Sequence, residues 1–354
     1  MITLTHGNLL TANVEAIVNT VNCVGVMGKG IALQFRQAFP ANFDAYEKAC
    51  KAGEVRPGKM HVFSTGEFVN PKYIINFPTK THWRSPSKLA YVEDGLADLV
   101  RVIADLRISS IAIPPLGCGN GGLRWSDVLP LIETAMDTLT DVDVRVYPPE
   151  GAPASDAMPV RTERPRMTRA RALFIKLIEQ YNELGYRLSL LEIQKLAYFL
   201  QEAGEKLRLN YSKHIYGPYA DNLNQVLVRL EGHFIRGFGD RSGDAEIYLL
   251  DGAVEEADAF LGEDREGKDR LAHVKRLVEG FETPYGVELL ATVHWLSVHE
   301  GSRNYEDATK QVQAWSDRKS KLMKPRHIEK AWKHLADSEF LPRSENASMT
   351  HYMN

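Results

Sequence analysis

The chain has 354 residues, 44% of them hydrophobic and 25% charged, with a formal net charge of −3 at pH 7. This length suggests two or three domains of about 150 residues each, and the apolar fraction excludes a chain disordered throughout. The weak net charge excludes a global pull toward nucleic acid, so any such contact must be local. The three cysteines, Cys23, Cys50 and Cys118, form no Cys-x-x-Cys pair. They argue against a disulfide framework or a zinc site and fit a reducing cytoplasm. No basic stretch followed by an apolar core opens the chain, so no secretion signal is expected. No run of about 20 apolar residues exists to span a membrane.

Taken in chain order, residues 1–7, 15–22, 60–66, 73–78, 108–117 and 142–149 read as strands. They are short β-branched runs bounded by Gly, Pro or Asn. Between them, residues 30–39, 87–106 and 125–139 have helical periodicity. Alternating strands and helices predict a mixed or largely parallel sheet covered on both faces, with ligands bound beyond the carboxyl ends of the strands. Residues 151–166 are rich in Pro, Ala, Ser and Arg and read as a linker. From 167 to 354 the chain is expected to be mainly helical, with helices over 170–184, 189–204, 220–232, 253–261, 269–281, 286–299, 304–315 and 325–337. Ser189 and Glu192 fit a capping box, and Pro325 fits a first helical turn. Residues 237–252 read as a small hairpin or loop excursion.

Two glycine-rich stretches carry the chemistry of the first domain, residues 1–150. They are VNTVNCVGVMGKGIALQF (18–35) and IPPLGCGNGGLRW (113–125), and INFPTKTHWR (75–84) lies between them. Each glycine-rich stretch follows an apolar strand-like run. Glycine lets a backbone approach a ligand closely, so such loops suit a pyrophosphate held by backbone N–H groups. A lysine between two phosphate-type loops is a candidate for chemistry.

By these motifs residues 1–150 resemble a macrodomain, an ADP-ribose-binding α/β fold with a mixed sheet between helices. MGKGIALQF, PPLGCGNGGLRW and NFPTK bring the likeness closest to DNA ADP-ribosyl glycohydrolase antitoxins. The resemblance implies that Asn8 accepts from the adenine amino group and that Asn22 bonds the distal ribose hydroxyls. It implies that Gly28 and Gly30 close over the distal ribose and phosphate, while Gly117, Gly119, Gly121 and Gly122 wrap the diphosphate. Leu9, Lys29, Ile31, Thr79, Leu116, Cys118, Asn120 and Leu123 complete the implied ADP-ribose contacts. Cys118 reads as a packing residue rather than a nucleophile.

Lys80 is the implied catalytic residue. Its neutral amine could attack the anomeric carbon, or its ammonium could stabilise the departing base. An acidic partner found after GCG in protein-directed relatives is not obvious here. His82, Trp83 and Arg84 could stack an extruded base and contact a phosphate of DNA, or they could be a packed Trp with two surface polar groups.

The segments IQKLAYFLQ (193–201) and IYGPYADNL (215–223) make the second domain similar to helical Panacea-type antitoxin domains, which bind toxins. The ten acidic residues within 244–269 could mimic DNA toward such a toxin, or could simply be a solvated face. The implied function is therefore an antitoxin. It removes ADP-ribose from a DNA base, with thymine expected, and binds its cognate DNA ADP-ribosyltransferase toxin. No metal or other cofactor is implied. The rival functions are a protein ADP-ribosyl glycohydrolase, a non-catalytic reader of ADP-ribose, and a protein that acts by toxin sequestration alone.

Overall fold

The computed structural model describes residues 1–150, 157–182, 187–239 and 246–342. The chain divides into two compact units, one built on Met1–Arg164 and the other on Pro165–Phe238 with the residues from 246 onward.

The first unit contains strands β1 (Ile2–Leu4), β2 (Ala16–Val21), β3 (His61–Ser64), β4 (Tyr73–Pro78), β5 (Ser110–Ile113) and β6 (Asp143–Val146). Its helices are α1 (Gly30–Ala38), α2 (Pro40–Lys51), α3 (Leu89–Asp105) and α4 (Trp125–Met136). The strands form one mixed sheet in the order β1-β6-β5-β2-β4-β3. β3 runs antiparallel to β4, and the other neighbours are parallel.

Side chains alternate across this sheet as strand geometry requires. Val18, Ile75, Phe77, Ile111 and Ile113 face one core with Leu96, Leu99 of α3 and Ile132 of α4. Ile17, Ile74 and Ala112 face the opposite core with Phe35 of α1. Burying each of these side chains larger than alanine contributes roughly 1.5–3 kcal/mol. Gly95 lets α3 lie directly on the Phe77 ring, since a Cβ there would stand 2.2 Å from the ring. That contact seats the strand that leads to Lys80.

The sheet also holds a buried polar knot. Asn19 on β2 donates to Asn76 Oδ1 at 3.0 Å, and Asn76 donates to Asn42 Oδ1 on α2 at 2.7 Å. His61 Nδ1 on β3 lies 3.2 Å from Asn76 Nδ2. Burial depresses the His61 pKa, so the imidazole stays neutral and can accept. The asparagine of NFPTK is thus a structural pin.

The segment expected to be a linker behaves differently over its described part. Met158 is buried in the same core as Leu9 and Phe35, and Arg161 N–H donates to Gln37 O at 2.8 Å. Residues 157–164 therefore pack as part of the first unit.

The second unit is mainly helical. It contains α5 (Arg169–Asn182), α6 (Leu190–Glu202), α7 (Leu223–Leu230), α8 (Ala253–Leu261), α9 (Arg265–Val278), α10 (Pro284–Glu300), α11 (Tyr305–Trp315), α12 (Asp317–Leu322) and α13 (Pro325–Asp337). The capping box at Ser189 and Glu192 is present, and Pro325 opens α13. Short strands β7 (Leu188–Ser189), β10 (Ile235–Arg236) and β11 (Glu246–Leu249) make a three-stranded sheet. β8 (Tyr211–His214) and β9 (Gly217–Ala220) form a separate antiparallel hairpin. Gln194 of α6 clasps the backbone of β9, accepting from Ala220 N and donating to Ala220 O, both at 3.0 Å. Among the described residues, no helix is long and apolar enough to cross a membrane.

Candidate functional site

The site lies where β2, β4 and β5 release the chain at their carboxyl ends. Beyond β4 the backbone continues beside β2: Thr79 N–H donates to Val21 O at 3.0 Å, and Cys23 N–H donates to Thr81 O at 3.2 Å. This extension brings Asn22 and Lys80 to the same end of the sheet. Thr79 itself is buried.

The first glycine loop is held by Asn22. Its Oδ1 accepts from Val24 N at 3.0 Å and Val26 N at 3.3 Å, and its Nδ2 donates to Val26 O. Tyr46 of α2 donates its hydroxyl to Asn22 O at 2.6 Å. Asn22 thus spends one amide hydrogen on the loop and retains a second. Gly28, Lys29, Gly30 and Ile31 form the entry to α1. Gly30 has φ +58, and Lys29 stands in extended backbone at the N-cap position without a side-chain cap. The Gly30 N–H donates to Gly239 O at 3.0 Å; the N–H groups that follow it at the start of α1 have no intrahelical acceptor and favour an anion. Ile31 packs partly against the Leu9–Phe35 core.

The second loop, 116–123, is held by its own backbone. Leu123 N–H donates to Gly117 O, Gly122 N–H to Gly119 O, and Ser87 N–H to Gly121 O. A Cβ on Gly121 would stand 2.3 Å from Gly117 O and 2.3 Å from Ser87 Oγ, so only glycine fits. Leu116 is fully buried, and Cys118 and Leu123 pack against the main core. Cys118 Sγ lies 3.5 Å from Leu116 O, in keeping with a packing role.

Lys80 joins the two regions. It is 9% exposed, and its Nζ donates to Asn120 O at 2.8 Å. No carboxylate pairs with it among the described residues. Burial alone lowers its pKa, which favours the neutral amine relative to an ordinary lysine. Such an amine can act as a nucleophile at a carbon held between the two loops.

Asn8 sits apart, at the cap of the 3-10 turn Leu9–Thr11. Its Oδ1 accepts from Leu10 N at 3.0 Å, and its Nδ2 donates to Ala157 O at 3.0 Å. Leu9 is a core side chain, so only its backbone can face a ligand. His82, Trp83 and Arg84 form a surface cluster just beyond Lys80. His82 and Trp83 stack with centroids 5.4 Å apart, and the Arg84 guanidinium lies 4.4 Å from the Trp83 ring centroid.

Tyr46 and Ser87 were not legible as site residues. Tyr46 lies on α2 and Ser87 in the connection between β4 and α3, and each touches a glycine-rich loop only in the folded chain. In the second unit the acidic stretch is partly self-neutralised: Asp258 pairs with Lys176, Asp264 with Arg169, Glu266 with Arg270 and Glu246 with Arg187. Asp244 lies outside the described residues. Lys195 and Pro218, from the two likeness-bearing segments, bond each other, with Nζ donating to the carbonyl at 2.7 Å.

Comparison with known proteins gives a family match and three relatives. Residues 18–132 match the family model described as Macro domain. A DNA ADP-ribosyl glycohydrolase of Thermus aquaticus is 52% identical over 92% of this chain and 90% of its own length. One from Mycobacterium tuberculosis is 46% identical over 91% of this chain and 95% of its own. A DNA ADP-ribosyl transferase-DNA ADP-ribosyl glycohydrolase fusion protein of Thermosipho africanus is 31% identical over 42% of each chain.

Proposed function

The chain belongs to the family of DNA ADP-ribosyl glycohydrolases, and from that premise we propose that Lys80 attacks the sugar carbon joining ADP-ribose to a DNA base, with thymine as that base. The observation that carries this reading is the environment of Lys80 Nζ. It is buried, donates to a neutral carbonyl, and has no carboxylate partner among the described residues. An ammonium held by a carboxylate would keep its proton. Here the amine can lose it and still donate one N–H to Asn120 O, which aims its lone pair.

The lone pair forms a bond to the anomeric carbon as the carbon–base bond breaks. The electron pair leaves on the base nitrogen, which takes the proton released from Nζ. The ribose ring oxygen then departs as an imine forms to Lys80. Water adds to the imine carbon, the amine is expelled, and the sugar recloses. One water is consumed, and ADP-ribose and the base are released. Backbone N–H groups of the two glycine loops and of the start of α1 hold the diphosphate. The second amide hydrogen of Asn22 reaches a ribose hydroxyl, and the remaining lone pair of Asn8 Oδ1 receives the adenine amino group.

The second unit, in this reading, binds and blocks a partner DNA ADP-ribosyltransferase. The Thermosipho africanus relative is named for both activities on one chain, which supports the pairing. The reading sets the protein in the cytoplasm with its DNA substrate.

The test is incubation of the full chain with ADP-ribosylated single-stranded DNA, following free ADP-ribose, with and without borohydride. Release of ADP-ribose and a reduced sugar adduct on the Lys80 peptide are expected. Release without any adduct would remove the covalent route, and no release would remove the activity. A chain ending at Arg164 should still cleave but no longer co-purify with the transferase. Co-purification of that shorter chain would overturn the division of labour.

A further inference from the structure

We propose that the turn following Lys80 grips the DNA strand beside the modified base. Trp83 is the stacking platform for a neighbouring base, and Arg84 and Lys88 are the phosphate contacts. This inference rests on the DNA-directed reading above and adds how the strand is held.

The first support is charge. Between positions 80 and 92 the sequence carries Lys80, His82, Arg84 and Lys88 and no Asp or Glu, in a chain of net charge −3. A cationic run in an otherwise slightly acidic protein is a local attraction for phosphate.

The second support is exposure. Trp83 is 44% exposed, so part of its indole is open to a ligand. It does not stand alone: His82 stacks on it, and the Arg84 guanidinium lies over its ring. Arg84 N–H donates to His82 Nδ1 at 3.2 Å, and Ser85 N–H donates to His82 O at 3.0 Å, so a tight turn fixes the cluster. Indole and guanidinium planes both accept a stacked base, whatever the base is.

The third support is position. One end of the turn is Lys80, bonded to Asn120 O, and the other end is Ser87, whose N–H bonds Gly121 O. Both anchors belong to the second glycine loop. The platform is therefore tied at both ends to the loop that holds the reacting nucleotide, three residues from the reactive amine. To present its sugar–base bond, a modified base must leave the helical stack. Its neighbour then loses a stacking partner, which the Trp83 cluster replaces. The loops that hold ADP-ribose cannot tell a DNA strand from a lone nucleoside, so strand recognition needs such a second feature.

The test compares two substrates with the same scissile bond, an ADP-ribosylated thymidine within a short single strand and ADP-ribosylated thymidine alone. In Trp83→Ala the ratio of kcat/KM for the strand over the nucleoside should fall about tenfold or more, while Trp83→Phe should keep most of it. ADP-ribose affinity, measured by calorimetry, checks that the variant is folded. Arg84→Gln and Lys88→Gln should each reduce the salt dependence of strand binding by about 0.7 in the log–log slope. An unchanged ratio in Trp83→Ala, with activity on the strand intact, overturns this inference alone. If the unaltered chain cleaves neither substrate, the DNA-directed reading falls and takes the inference with it.

Discussion

The amine of Lys80 and the carbonyl of Asn120 are 2.8 Å apart, so the strand end of β4 and the second glycine loop are held by one hydrogen bond. The loop that would cradle a diphosphate thereby also orients the Lys80 nitrogen. Lys80→Ala should lose hydrolysis by about 100-fold or more while ADP-ribose still binds. Lys80→Arg should not rescue it, because a guanidinium does not give up its proton. Burial lowers the Lys80 pKa below 10.5. The rate should therefore rise with pH as the ammonium loses its proton, with a midpoint below the ordinary lysine value. A rate that falls over that range would contradict a neutral attacking amine.

Gly121→Ala should be far more damaging than Gly119→Ala. At position 121 a methyl would meet a backbone oxygen and Ser87 Oγ, each at 2.3 Å, whereas at position 119 nothing lies within 4 Å. The loop must move to accept the first change. Overpacking of this kind costs roughly 1–3 kcal/mol, and here it displaces the Asn120 carbonyl as well. Urea denaturation and ADP-ribose titration of both variants give the comparison. Equal stability and equal affinity would show the loop to be pliable.

Glu288 is the keystone of a buried charge cluster in the second unit. It accepts from Lys319 Nζ at 2.7 Å and from Arg318 Nη1 and Nη2 at 2.6 and 3.0 Å. Lys319 is fully buried. Glu288→Gln should destabilise this unit by about 3 kcal/mol or more, because it leaves a buried cation without its counter-charge. A loss under about 1 kcal/mol in chemical denaturation would mean that water replaces the carboxylate.

The second unit should also weaken in acid through His294. This imidazole is 2% exposed, is paired with the Tyr198 hydroxyl at 2.7 Å, and has its pKa lowered by burial from 6.5 to about 4. A protonated His294 is favoured in the unfolded chain, so the unfolded state binds the extra proton between those values. Stability then falls as the pH drops from 6.5 toward 4, and His294 adds no further loss below that. The full span is worth about 3 kcal/mol at about 1.4 kcal/mol per unit. Denaturation midpoints across this range should slope downward, and His294→Gln should flatten the slope. An unchanged slope in that variant would assign the effect to other groups.

Much of the first unit was readable because its strands are β-branched runs between Gly, Pro and Asn, and because each glycine loop follows such a run. The helix α2 was not. It begins at Pro40, one residue after α1 reaches its cap at Phe39, and its buried Asn42 and Tyr46 break an apolar stripe. The packed segment 157–164 was hidden for a related reason. One buried methionine, Met158, gives no periodicity among Pro, Arg and Thr. In the second unit, Lys195 and Lys319 are core residues that any hydropathy pattern assigns to the surface. The hairpin β8–β9 is hidden because its second strand opens on Gly217 and Pro218, residues that strands disfavour. At the candidate site, the glycines and Lys80 stand out through their motif. Tyr46, Ser87 and the Asn19–Asn76–Asn42 knot depend on elements far apart in the chain.

The clasp of Gln194 on Ala220 has a consequence for how this molecule tolerates crowding. A two-stranded ribbon leaves rows of N–H and C=O groups ready to recruit a stranger's backbone. The glutamine side chain, having the same donor and acceptor as a peptide group, fills the slot that an incoming strand would take at Ala220. The ribbon is sealed there by its own helix, so the protein guards that margin against self-association without lengthening the sheet.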